Sequence, residues 1–143
     1  MIALASDHAG FLLKEAIKEK LINDGYEIMD LGTNSKESVD YPIYGRKAGE
    51  AVAEGRADRG IVVCGTGIGI SIAANKVKGI RCADCTNVQM AEYSRKHNNA
   101  NMLALGARIT TDQKEAFDIV DTWLHTDFEG GRHQRRVDLI ENI

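Results

Sequence analysis

Cysteine is scarce and odd in number, with three in 143 residues. That argues against a disulfide framework and makes a reducing cytoplasm the expected setting. No excess of positive charge is present. A net charge of −3 offers nothing to attract DNA, RNA or an anionic membrane surface. No apolar run is long enough to span a bilayer. The chain opens on the strand-like Ile2-Ala3-Leu4-Ala5-Ser6, without the basic segment and apolar core of an export signal. Linkers, repeats and low-complexity segments are also missing. The only proline, Pro42, follows a polar loop, where it can open a helix because its absent N–H costs little there. What remains is 43% hydrophobic, an ordinary value for a globular chain long enough to bury one core. Residues 1–143 read as one domain.

Strand-like runs alternate with amphipathic ones. The expected strands are Ile2–Ser6, Tyr26–Leu31, Gly60–Cys64, Gly79–Ala83 and Asn101–Leu105. Between them, Phe11–Ile22 carries Leu13, Ala16, Ile17 and Leu21 close to a helical period. Residues 42–54, 69–76, 87–97 and 112–124 also read as helices, the last opened by Thr111-Asp112, and a short helix is expected over about 132–142. This alternation predicts an α/β fold of the Rossmann-like three-layer α/β/α kind, with a five-stranded parallel sheet. In such sheets ligands bind beyond the carboxyl ends of the strands. That directs attention to Asp7-His8, Cys64–Gly69, Asp84 onward and Gly106–Arg108. Gly32–Asp40 and Asp127–Gly131 read as flexible segments.

The densest chemistry lies in Gly60-Ile-Val-Val-Cys-Gly-Thr-Gly-Ile-Gly69. A buried strand ends at Cys64, and Gly65, Gly67 and Gly69 let backbone N–H groups converge where a helix begins. Such a nest binds an anion and favours a thiolate. The segment lacks the third glycine of a dinucleotide fingerprint, since Ile70 stands in its place, and lacks the Gly-Lys-Ser/Thr of a P-loop. The plain alternative is a tight turn with a structural cysteine. Asp7-His8 suits proton handling, or equally a helix cap with an exposed imidazole beside it. His97-Asn98 ends a helix, where a cation or a left-handed asparagine is also structurally favoured. Arg132 and Arg136 share a helix face and form a phosphate clamp, with Arg108 as a third member, or else a solvated basic surface. Cys82-Ala-Asp-Cys85 is a C-x-x-C whose first cysteine falls inside a strand, so it reads as core rather than redox-active. His125 and His133 show no zinc-ligand spacing.

Together these pieces resemble the type B ribose-5-phosphate isomerase family, which includes allose-6-phosphate and galactose-6-phosphate isomerases. The resemblance rests on Ser6-Asp7-His8-Ala9-Gly10, Asp40-Tyr41-Pro42, Cys64-Gly-Thr-Gly-Ile-Gly69 with Ser71-Ile-Ala-Ala-Asn-Lys76, Gly79-Ile80-Arg81, His97-Asn98, Leu105-Gly106-Ala107-Arg108, and Phe128-Glu-Gly-Gly-Arg-His133 with Arg136. It spans nearly the whole chain. It implies aldose–ketose isomerisation of D-ribose 5-phosphate and D-ribulose 5-phosphate through a cis-enediolate, in pentose phosphate metabolism, without metal or organic cofactor. Cys64 matches the family's base, His97 its ring-opening acid, and Thr66 a proton carrier between substrate oxygens. The N–H groups of Gly65, Gly67, Ile68 and Gly69 would stabilise the enediolate. Asp7, Tyr41 and Asn98 would hold hydroxyls or assist ring opening, and His8, Arg108, Arg132 and Arg136 would hold the phosphate. The resemblance further implies a homodimer or homotetramer with shared sites. His97, Asn98 and Arg108 would come from one protomer and the Cys64 nest from its neighbour. Ile43 departs from the family, which often has an aspartate there. Competing readings are a hexose-6-phosphate isomerase of the same chemistry, a non-catalytic sugar-phosphate-binding subunit, and a flavodoxin-like or thiol-redox protein.

Overall fold

A computed structural model describes residues 1–143. In chain order the elements are β1 (Ile2–Ser6), α1 (Phe11–Asn23), β2 (Ile28–Asp30), α2 (Tyr41–Ala53), β3 (Arg59–Cys64), α3 (Ile68–Asn75), β4 (Cys82–Asp84), α4 (Val88–Lys96), β5 (Met102–Gly106), α5 (Gln113–His125) and α6 (Arg132–Glu141). All strand pairs are parallel, in the order β2-β1-β3-β5-β4. The expected α/β class and five-stranded parallel sheet are therefore present.

The two faces of the sheet are packed differently, because successive strand side chains point to opposite sides. Ile2, Leu4, Ile61, Val63, Leu103 and Leu105 face one way, against Ile17 and Leu21 of α1, Ala91 of α4 and Ile119, Val120 and Trp123 of α5. Each such aliphatic chain, fully buried, contributes roughly 1.5–3 kcal/mol. The other face carries Ala3, Ala5, Val62, Cys64, Met102 and Ala104, and α2 and α3 cover it. Small residues bring these two helices together: a Cβ on Gly45 would stand 2.8 Å from the Ile70 carbonyl oxygen. The Cys64 side chain thus belongs to the small-residue face.

Where expectation and structure differ, side chains have displaced the ladder. Residues 79–81 are not strand. Gly79 has φ +92°, and Asn101 replaces the ladder there by accepting from Arg81 N–H at 2.8 Å and donating to Gly79 O at 2.9 Å. Strand β4 is shorter and shifted to Cys82–Asp84, and β2 contracts to Ile28–Asp30. The expected flexibility does not begin at Gly32: Ser6 N–H donates to Gly32 O at 2.7 Å and Thr33 N–H to Ser6 O at 2.8 Å. Pro42 does sit in the first turn of α2, and Asp112 caps α5 by accepting from Lys114 N–H at 3.0 Å. No helix is long and apolar enough to cross a membrane.

Candidate active site

The sheet order places β2 on one side of β1 and β3 on the other, so the chain changes direction between β1 and β3. Open α/β sheets bind ligands at such a point. Asp7 and Cys64 stand at the carboxyl ends of those two strands, and Asp7 N–H donates to Val63 O at 3.2 Å. Cys64 is 4% exposed, and its Sγ accepts from Gly67 N–H at 3.2 Å. That bond points a donor at the atom that would carry thiolate charge. It depends on Gly67, which caps α3 in the left-handed conformation at φ 80°. The Thr66 hydroxyl oxygen accepts from Ile68 N–H at 3.2 Å. Gly69 and Ile70 lie in the first turn of α3, so their N–H groups have no acceptor within the helix.

Other sequence-predicted residues gather around this turn. Gly10 N–H donates to Asp7 Oδ1 at 3.0 Å, so Asp7 does tie down the start of α1 while its second oxygen is left over. His8 Nδ1 accepts from Val39 N–H at 3.1 Å. A nitrogen that accepts carries no proton, so the neutral ring of His8 is protonated at Nε2 and offers a donor there. The Tyr41 ring lies over Gly69, where a Cβ would come within 2.6 Å of Cε1. Ile43, the departure from the family pattern, is exposed on α2.

Within the chain Arg108 lies beside this turn, apart from His97 and Asn98. Register explains why. Cys64 pairs with Gly106, so the loop after β5 must emerge beside the Cys64 turn. Arg108 N–H donates to Gly65 O at 2.9 Å, and its guanidinium lies over Gly65 of the same chain.

His97 and Asn98 stand at the other end of the sheet. Helix α4 runs from the carboxyl end of β4 back to the amino end of β5, and His97 is its last cap. From there β5 spans about 13–16 Å before reaching the level of Cys64. The His97 ring stacks on Tyr93 at 4.9 Å and on His133 at 4.3 Å between centroids. Glu129 Oε1 is 3.6 Å from His97 Nε2 and 3.9 Å from His133 Nε2. Burial, and then the positive charge of His97, Arg132 and Arg136, hold His133 below the usual imidazole range. Arg132 and Arg136 share α6 with His133, whose ring stacks on His97, so the arginine pair stands at the amino end. The asparagine in the left-handed conformation is Asn99, φ 46°, one residue beyond Asn98.

Sequence reading leaves three nearby groups without a role. Glu129 and His133 meet His97 only through the fold, more than thirty positions away along the chain. Asp84 ends β4 with its Oδ1 enclosed, unpartnered and packed under Gly67. The one signal for it was its place at a strand end. Cys85 is buried, its thiol pushed up to about 11, and burial raises Cys82 further, so neither is a ready nucleophile.

Comparison with known proteins agrees across the full length. Residues 2–140 match the family model described as Ribose/Galactose Isomerase. The chain is 49% identical to ribose-5-phosphate isomerase B of Escherichia coli, over 99% of this chain and 95% of that one. Among solved structures, ribose-5-phosphate isomerase B of Clostridium thermocellum superposes with a TM-score of 0.97 at 57% identity, covering 99% of this chain and 95% of that one. The Mycoplasma genitalium enzyme with bound ribulose-5-phosphate superposes with a TM-score of 0.94 at 42% identity, covering 99% and 93%.

Proposed function

The chain belongs to the ribose/galactose isomerase family, and on that premise we propose that it interconverts D-ribose 5-phosphate and D-ribulose 5-phosphate. The observation that carries the mechanism is the hydrogen bond from Gly67 N–H to Cys64 Sγ at 3.2 Å. A sulfur held there can take a proton from C2 of the opened aldose. The C2–H electrons then form the C1–C2 double bond, and the carbonyl pair moves onto O1, giving a cis-enediolate. Backbone N–H groups of residues 65–69 stabilise that charge where it develops. The Thr66 hydroxyl passes a proton between O2 and O1, and the Cys64 thiol returns its proton to C1.

The cyclic sugar must open first. His97 supplies that proton transfer, giving a proton to the ring oxygen as the hemiacetal hydroxyl loses its own. Asp7, Tyr41 and Asn98 hold hydroxyls. His8, Arg108, Arg132 and Arg136 hold the phosphate, which fixes the opened chain from a point remote from the reacting carbons.

His97 and Cys64 lie at opposite ends of one sheet, so a five-carbon substrate cannot touch both within one chain. The reading therefore requires a second copy that brings its His97 to this Cys64, in a homodimer or a larger homo-oligomer. Exposed apolar residues support it. Ile68 and Ile72 on α3 are 57% and 55% exposed, and Val88, Met90 and Tyr93 of α4 are also open, on the helices flanking the β4 edge. A thiol base suits a reducing cytoplasm.

Turnover on ribose 5-phosphate, allose 6-phosphate and galactose 6-phosphate, with EDTA present, tests the reading. A clear preference for the pentose phosphate is expected. Preference for a hexose phosphate would keep the chemistry and change the substrate, and no turnover on any would leave a binding subunit.

A further inference from the structure

The amino-end cluster holds a second chemistry. His97, Glu129 and His133 each offer one ligand atom, and these atoms lie within 4.8 Å of one another. Glu129 Oε1 stands 3.6 Å from His97 Nε2 and 3.9 Å from His133 Nε2. In a tetrahedral zinc site, with metal–ligand bonds of about 2.0–2.2 Å, neighbouring ligand atoms are roughly 3.3–3.5 Å apart. The two imidazoles now stack nearly parallel, so one ring must turn out of the stack for both nitrogens to face a shared ion beside Glu129.

The supports of the cluster are fixed by the backbone. Glu129 N–H donates to Lys96 O at 3.1 Å, and His133 N–H to Gly130 O at 3.1 Å, so the loop before α6 is docked on the end of α4. Tyr93 backs the His97 ring from the other side. Two imidazoles and one carboxylate are a donor set for zinc, cobalt or nickel, and three protein ligands leave a further position open. Arg132 and Arg136 stand close by, and their charge opposes a cation held by electrostatics alone. That selects against calcium and magnesium, which need several carboxylate or carbonyl oxygens.

We propose that His97, Glu129 and His133 form an inhibitory site for a divalent transition metal. Coordination occupies the Nε2 of His97, so the ion and the ring-opening proton compete for one lone pair. Bound waters of the ion, and any proton on the imidazoles, leave to solvent. The inhibition rests on the ring-opening role given to His97 above; the metal binding does not.

Two readouts keep those claims apart. Co2+ is titrated into the metal-free full chain and followed by visible absorption, while Zn2+ is added to the turnover assay on the cyclic aldose. Four-coordinate Co2+ bands are expected, without the thiolate charge-transfer absorption that a cysteine ligand would give. Zn2+ is expected to lower turnover about tenfold or more, reversed by EDTA. Measured against its own metal-free turnover, Glu129→Gln should weaken both Co2+ binding and Zn2+ inhibition by at least about tenfold, as expected for loss of one of three ligands. No Co2+ binding, a thiolate band, or Zn2+ inhibition unchanged in Glu129→Gln would overturn the site. Co2+ binding that Glu129→Gln weakens, with no effect of Zn2+ on turnover, would overturn the inhibition and fault the role of His97 instead.

Discussion

Two side chains with unusual surroundings set the testable chemistry at the level of single residues. Cys64 is buried, yet a backbone donor reaches its sulfur. Cys64→Ala removes one small atom from the alanine-rich face, so the fold is expected to survive. Turnover should fall by about 10²–10⁴-fold, the usual worth of a positioned base, while sugar-phosphate binding persists. Steady-state kinetics beside a binding titration check this, and unimpaired turnover would remove Cys64 as the base. Asp84 is the other case. Burial pushes its carboxyl from 3.8 to about 6. Between those values the folded chain holds a proton that the unfolded chain has released. Its contribution to stability is therefore fully present below about pH 4 and lost as pH rises through about 6. Asp84→Asn should raise stability at pH 7.5 by about 1 kcal/mol, a figure reduced for solvent on the open side of the carboxyl. At pH 4 it should change little. Thermal melts at both pH values test it, and equal shifts would show that ionisation is not the cause. The sequence marked Cys64 through the glycines around it. It gave Asp84 only a position, because enclosure under Gly67 comes from a neighbouring strand.

Among the elements, those with strong local signals were legible and those shaped by distant side chains were not. Strand β1 and helix α1 begin where expected because apolar patterning is decided within each segment. Strand β4 was misplaced because Asn101, twenty residues downstream of Arg81, takes over the backbone groups of Gly79 and Arg81. The strand-to-helix turn after β3 was legible as a nest, and its geometry yields a prediction. At Gly67, φ is +80° and a Cβ would strike Asp84 Oδ1 and the Leu105 backbone. Gly67→Ala should destabilise the chain by about 1–2 kcal/mol from the left-handed conformation alone, with the collision added. It should also cut kcat/KM by about 10²-fold or more, because the displaced N–H serves Cys64 and the nest. Gly25→Ala provides the comparison. Its φ is +95°, but nothing lies within 4 Å of the added Cβ. That variant should lose a similar increment of stability and keep its activity. Equal activity losses in the two variants would mean that strain, not the nest, is being measured.

At the scale of the whole molecule, the sequence lists the candidate site residues without saying that they fall into two groups. Motif order along the chain runs through both ends of the sheet, and only topology separates them. Asp7, His8, Tyr41, Cys64 and Arg108 gather at the carboxyl end, whereas His97 lies at the amino end, stacked on His133. A site shared between copies makes a sharp demand on mixtures. Cys64→Ala and His97→Asn homodimers should each be nearly inactive. In a heterodimer of the two, one site carries both lesions and the other carries neither. Random reassortment makes half of the dimers heterodimers, each with one intact site of two, so about a quarter of wild-type turnover should return. Unfolding and refolding the two variants together, against the same treatment of each alone, measures this. Recovery near that fraction requires His97 and Cys64 to act from different chains. No recovery, with mixed dimers confirmed by differently tagged copies, would require both residues to act within one chain, against the length of β5 that separates them.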